Sequence, residues 1–263
     1  MLGGPETVRP LHHRAVVTVG WRAVAAFVRN DLRGTYRDPL LVMIVLAPVI
    51  WTIGVAVLTP RVTTMLAERY AFDLVPYYPL VLTAFLLLTS IIITGGLGAF
   101  LVLDEVDAGT LTALRVTPVR LSVFFGYRVA TVMVVTTAYV IATLSFSGIL
   151  QPGLVPSLIP IGLVAGLSAV VTLLLILAMA SNKIQGLAAL RGLGMLIAGL
   201  PCLPWFIDSD WNLAFGVLPP YWAVKAFWVA GNHGMWWPYL LGGVVYNLAV
   251  AIPLYRRFIA KNT

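Results

Sequence analysis

The chain has 263 residues, 60% of them hydrophobic and only 10% charged, with a mean hydropathy of +0.95. That is more apolar material than a soluble core of this size can bury, so the solvent for most of the chain is a bilayer. A net charge of +7 would suit a nucleic-acid binder, but Lys and Arg fall in short clusters between apolar runs rather than along one face, which argues against nucleic acid and fits the cytoplasmic side of a membrane protein.

From Met1 to Asp38 there are six arginines, two histidines and no uninterrupted apolar stretch before a small-residue cleavage site. The expectation is therefore no cleavable signal peptide and an N-terminus that stays in the cytoplasm. Within this segment, Val17, Trp21, Val24, Ala25 and Val28 share one helical stripe, with Arg22, Arg29, Asp31 and Arg33 largely off it. Two readings are open: an amphipathic helix lying in the interface, or an ordinary juxtamembrane anchor.

About 20 apolar residues cross the roughly 30 Å of hydrocarbon. Runs of that kind occur at Leu40 to Leu58, Pro79 to Leu103, Val123 to Leu150 and Leu158 to Ala180. A fifth starts between Ile184 and Leu193 and ends near Trp205, and a sixth covers Met235 to Tyr255. With no water to satisfy the backbone and no strand alternation, these runs must be helices, so the class is an all-α membrane protein of six transmembrane helices. One domain, 1–263, is predicted: a cytoplasmic N-terminus over 1–39, the six-span bundle over 40–255, and a cytoplasmic tail over 256–263. Counting alternate connections, 14 of the 17 Lys and Arg residues fall on the side of both termini, against Arg61, Arg69 and Lys225 on the other. Both termini thus face the cytoplasm.

Six of the eight tryptophans, Trp205, Trp211, Trp222, Trp228, Trp236 and Trp237, crowd into the last extracellular connection and its flanks, as suits a residue of the headgroup layer. The stretch Trp211 to Ala230 is too apolar for a solvated loop, yet Pro219 and Pro220 interrupt it, which predicts short helices dipping into the outer leaflet.

Chemistry of other classes is missing. All ten acidic residues fall at or outside the predicted membrane boundaries, so the intramembrane carboxylate of many ion-coupled carriers is absent. No phosphate-cradling G-x-x-x-x-G-K-[ST] motif occurs, so nucleotide hydrolysis by this chain is unsupported and the energy source is expected elsewhere. The glycines at Gly95, Gly96 and Gly98 and at Gly192, Gly194 and Gly199 superficially resemble dinucleotide loops, but without a preceding strand they read as close helix packing. His12 and His13 are adjacent and His233 is remote, so neither a metal site nor a Ser/His/Asp set is evident, and no catalytic residue is assigned. The single cysteine, Cys202, can form no internal disulfide and reads as inert packing.

Between the second and third spans runs DEVDAGTLTALRVTPVR, Asp104 to Arg120. Asp107 can cap a short helix carrying Leu111, Leu114 and Arg115, and Thr117 with Pro118 reads as N-cap and first residue of the next helix. From physics alone a well-capped turn joining two membrane helices is the favoured reading. The segment resembles, however, the corresponding cytoplasmic connection of ABC-2 type ABC-transporter permeases, through Glu105, Gly109, Thr110, Leu111, Leu114, Thr117 and Pro118. The six-span plan, the preceding amphipathic stretch and FGVLPPYWAVKAFW after span five resemble that family as well.

The resemblance implies that the loop, Arg115 included, is a coupling helix seated in a groove of a separate ATP-binding subunit, and that the apolar stretch before the last span forms re-entrant extracellular helices. It further implies two ATPase copies carrying ATP and Mg, none in this chain; a second permease protomer, identical or homologous; and a small-molecule or lipid-like cargo such as a drug or antibiotic, exported from a bacterial cell membrane. Arginine outnumbers lysine 14 to 3, a usage associated with high-GC bacteria. An exporter of lipid-linked glycans, an ion-coupled carrier and an integral-membrane enzyme are the alternatives. A substrate pathway is expected at the seam between protomers, lined by Phe85, Thr89 and Thr94 from span two and Met195 and Leu200 from span five, although helix packing alone explains the same residues. Arg191 lies at the membrane surface if span five starts at Leu193 and about two turns deep if it starts near Ile184; it is either a simple anchor or a residue bordering the inward-facing entrance.

Overall fold

A computed structural model describes Arg29 and residues 39–109, 121–207 and 209–262. The amphipathic stretch before span one and the segment 110–120 lie outside the described residues, apart from Arg29, which is helical and exposed.

Six helical stretches are long and apolar enough to cross a membrane: Val42–Tyr70, Val75–Asp107, Phe124–Ser145, Pro152–Met179, Lys183–Phe206 and Trp237–Ala260. No strand occurs among the described residues. Span one is helix α1, Pro39–Tyr70. Span two is composite: a 3-10 turn at Val75–Tyr77, α2 at Tyr78–Leu82, a π-helical turn at Thr83–Leu87, and α3 at Leu88–Asp107. Span three is α4, Leu121–Ser145. Span four is a 3-10 turn at Pro152–Ser157 followed by α5, Leu158–Met179. Span five is α6, Lys183–Gly199, continued as 3-10 helix over Leu200–Phe206. After a 3-10 stretch at Asp210–Val217 and the short helix α7, Tyr221–Gly231, the chain ends in α8, Trp237–Asn262.

Several boundaries differ from the hydropathy reading. Span one runs on to Tyr70 rather than Leu58, because Pro60 is accommodated inside the helix while Thr63 and Thr64 donate to the Thr59 and Pro60 carbonyls. At 32 residues it is about 48 Å long, well beyond the hydrocarbon thickness. Span three stops at Ser145 rather than Leu150, since Ser147 Oγ donates to the Leu144 carbonyl and Gly148, at φ +74°, takes the left-handed turn that ends a helix. Span six continues past Tyr255 to Asn262 with Pro253 inside it. The interruption at Pro219 and Pro220 does separate two short helices, and α7, 11 residues or about 16 Å long, is too short to cross.

Spans two and four are the centre of the bundle, 72% and 78% buried over their most apolar stretches, whereas spans five and six are only 17% buried. Helix α5 packs against α4, α3 and α8 most extensively. Glycine permits the closest of these approaches. A Cβ on Gly95 would lie 2.7 Å from the Ala169 carbonyl oxygen, and one on Gly98 2.5 Å from Val132 and 2.7 Å from Leu173. Hydroxyls cross the same seams: Thr94 Oγ1 to Thr136 Oγ1 at 2.6 Å, Thr137 to the Gly162 carbonyl at 3.1 Å, and Tyr139 to the Val45 carbonyl at 2.8 Å. By contrast, a Cβ on Gly192, Gly194 or Gly199 would meet nothing within 4 Å. The packing expected of these three is not found within the protomer, because they lie on span five, which the bundle leaves largely uncovered.

Candidate functional site

Span five starts where a capping sequence allows. Asn182 is extended, at φ −150°, and its Oδ1 accepts from the Gln185 N–H at 2.9 Å, while Gln185 Oε1 accepts from the Ser181 N–H at 2.9 Å. The Asn182 side chain thus satisfies one donor that the first turn leaves open, and Gln185 reaches back past the N-cap to the residue before it. Helix α6 starts at Lys183, so Arg191 lies eight residues into the helix, about 12 Å along its axis. Arg191 is exposed on the surface of the protomer, on the same stripe as Ile184, Ala188 and Met195, the last 82% exposed. Leu200 is half-buried at the start of the 3-10 continuation.

The first turn of span five is held to the end of span two. Lys183 Nζ lies 3.0 Å from Asp104 Oδ1 and 3.1 Å from Asp104 Oδ2, and the Lys183 backbone N–H donates to Asp107 Oδ2 at 3.1 Å. Asp107 thus caps α6 from another helix and lays a negative charge against its N-terminal dipole. The expected coupling loop begins here. Glu105 lies in the last turn of α3, which ends at Asp107, and Gly109 follows at φ +70°, a conformation that side chains disfavour. Thr110, Leu111, Leu114, Arg115, Thr117 and Pro118 lie outside the described residues.

The three expected pathway residues of span two separate. Phe85 is 42% exposed. Thr89 is half-buried, with its hydroxyl 3.3 Å from the Ala84 carbonyl. Thr94 is buried, its hydroxyl engaged with Thr136 and with the Ser90 carbonyl at 2.7 Å; the structure places it in the seam between spans two and three, apart from the surface carrying Met195. Phe85 instead faces span one. Its ring centroid is 5.3 Å from that of Trp51, and both line a groove of about 310 Å³ with Gly54, Leu58, Thr59 and Val81. The wall is almost wholly apolar, with Trp51 and Thr59 its only residues carrying a polar side-chain atom. A volume of this size matches small-molecule sites.

Sequence reasoning missed Trp51, Lys183 and the contact of Trp228 with span two. The N-x-x-Q pattern at Asn182 and Gln185 could have identified the first turn of α6; nothing local marks the other two. In α7, Tyr221 is fully buried, and burial, with Tyr239 adding a smaller push, raises its hydroxyl to about 12. It therefore stays protonated and donates to Asn212 Oδ1 at 3.1 Å. Among the described residues no group of three or more His, Cys, Asp or Glu could hold a metal.

Residues 31–255 match the family described as fluoroquinolones export permease protein Rv2686c-like. Two relatives are each 80% identical over 243 residues, covering 92% of this chain and 96% of their own: the fluoroquinolones export permease protein Rv2686c of Mycobacterium tuberculosis strain H37Rv, and the fluoroquinolones export permease protein MT2760 of strain CDC 1551. No solved structure matches the chain. A six-span all-α bundle, a family match over most of its length and this degree of identity agree, and the chain belongs to the Rv2686c-like family of export permeases.

Proposed function

We propose that this chain is the membrane-spanning subunit of an ABC exporter for fluoroquinolone-like drugs, with ATP and Mg held by two copies of a separate ATP-binding subunit. The observation that carries this reading is the 80% identity to relatives named for fluoroquinolone export, over nearly their whole length. The bundle acts as one domain over 1–263 and pairs with a second permease protomer. The uncovered stripe of span five, with Met195 and the open positions at Gly192 and Gly199, supports such a pairing. The bias of Lys and Arg orients both termini to the cytoplasm of a bacterial cell membrane, which puts Asp104, Asp107 and Lys183 on the ATPase side and makes α7 a re-entrant extracellular helix.

In this arrangement the segment from Glu105 to Pro118 docks on the ATPase, and the Asp104, Asp107 and Lys183 contacts join its root to the first turn of span five. A push on the loop thereby reaches both helices assigned to the pathway, Phe85 and Thr89 in span two and Met195 and Leu200 in span five, and opens the cavity in the opposite direction. Arg191, exposed and two turns into span five, is placed to meet the carboxylate of such a drug at the inward-facing entrance. Producing the chain with its ATPase in a pump-deficient bacterium should lower intracellular ciprofloxacin, followed by its own fluorescence; unchanged accumulation would contradict the drug assignment.

A further inference from the structure

Thr83, Trp228 and Trp205 come from three separate stretches of the chain and meet at one point. Thr83 is fully buried, its hydroxyl donates to the Pro79 carbonyl at 2.8 Å, and it accepts the indole N–H of Trp228 at 2.7 Å. Trp228 is itself buried in α7, and its ring stands edge-on to Trp205, 5.0 Å away, in the 3-10 continuation of span five. Thr83 is also the first residue of the π-helical turn, its carbonyl accepting from the Leu88 N–H five residues on.

Such a turn inserts one residue, and one residue rotates everything beyond it by about 100° around the helix axis. Phe85 lies inside this turn, two residues beyond Thr83. Thr83, Leu86 and Leu87 are buried, while Phe85 emerges into the groove beside Trp51.

We propose that Trp228 is a positioning residue: its hydrogen bond to Thr83 holds the π-helical turn and so aims Phe85 into the groove between spans one and two, letting α7 set the aromatic surface that a planar drug meets. The proposal rests on Phe85 belonging to the substrate pathway. Its geometric half does not need a substrate to be tested. With the full chain in its membrane and Cys202→Ala as background, Phe85→Cys supplies a single thiol whose labelling rate by N-ethylmaleimide reports its exposure.

Trp228→Phe keeps a ring against Trp205 and removes the N–H, Thr83→Val keeps the shape and removes the hydroxyl, and Thr83→Ser keeps the hydroxyl. Trp228→Phe and Thr83→Val should each change the rate by roughly three- to tenfold, a range a single hydrogen bond sustains. The double variant should change it no further, and Thr83→Ser should match the parent. Unaltered rates, or additive effects in the double variant, would overturn the proposal. If one variant fails to reach the membrane, the other decides.

With Phe85 restored, Trp228→Phe should raise the ciprofloxacin concentration for half-maximal export and leave the maximal rate near that of the unaltered chain. A loss of maximal rate alone would overturn the link to substrate. Absence of any ciprofloxacin export from the unaltered chain with its ATPase would instead remove the drug assignment, and the labelling rates would still decide the role of Trp228.

Discussion

A Cβ built on Gly95 would sit 2.7 Å from a carbonyl oxygen of span four and 2.9 Å from Thr172 Cβ, and both neighbours belong to packed helix. Neither can give way as the end of a flexible side chain would. Gly95→Val should therefore cost about 1–3 kcal/mol or more through overpacking, read as a lower unfolding temperature in detergent and reduced yield. Gly192→Ala has open space around its Cβ and gains helix propensity of about 0.8–1 kcal/mol, so its unfolding temperature should be equal or higher. The opposite order would mean that spans two and four do not meet as described.

Arg191 is exposed on the protomer surface two turns inside span five. An arginine inside the hydrocarbon is costly against lipid and tolerable facing a wet cavity, and in the proposed exporter Arg191 borders the inward-facing entrance. Arg191→Ala should consequently raise the concentration of carboxylate-bearing drug needed for half-maximal export while expression stays normal; unchanged apparent affinity for every exported drug would leave Arg191 as an anchor.

At the scale of elements, the segment after Glu105 is either a plain connector or, as proposed, a docking helix, and the two differ in what they tolerate. On a solvated turn, polar replacements cost within about 0.5 kcal/mol. Two leucines seated in a partner groove contribute roughly 1.5–3 kcal/mol each, and an aspartate there leaves a desolvated charge. The double change Leu111→Asp, Leu114→Asp should leave membrane insertion normal, weaken co-purification of the ATPase and abolish drug-stimulated ATP hydrolysis. Retained binding and stimulation would reassign the loop.

The helices themselves were legible because hydrocarbon thickness imposes a length that apolar runs must meet, and all six were found. Their ends were less so. Pro60, just past the expected end of span one at Leu58, is carried inside the helix, whereas the Ser145 end depends on Gly148 taking a positive φ within an apolar run. The π-helical turn left no mark, since TAFLL is an ordinary helical string and its partner Trp228 is 145 residues away. Phe85 and Thr94, both pathway residues by composition, stand nine residues apart, about half a turn out of phase on a helix, and so end on different surfaces.

For the whole molecule, the central claim is that this chain supplies a path and another polypeptide supplies the energy. The described bundle is consistent with that division: its centre is spans two and four, its acidic residues gather at helix ends such as Asp104 and Asp107, and its most exposed helical surfaces belong to the spans that a second protomer would cover. A carrier driven by an ion gradient would need neither an ATPase nor the loop after Glu105. The most direct measurement is ciprofloxacin uptake into inside-out membrane vesicles containing this chain, with and without its ATP-binding subunit, in the presence of a protonophore. Uptake should require both polypeptides and ATP and should survive collapse of the proton gradient; uptake by this chain alone, driven by the gradient and abolished by the protonophore, would contradict the account.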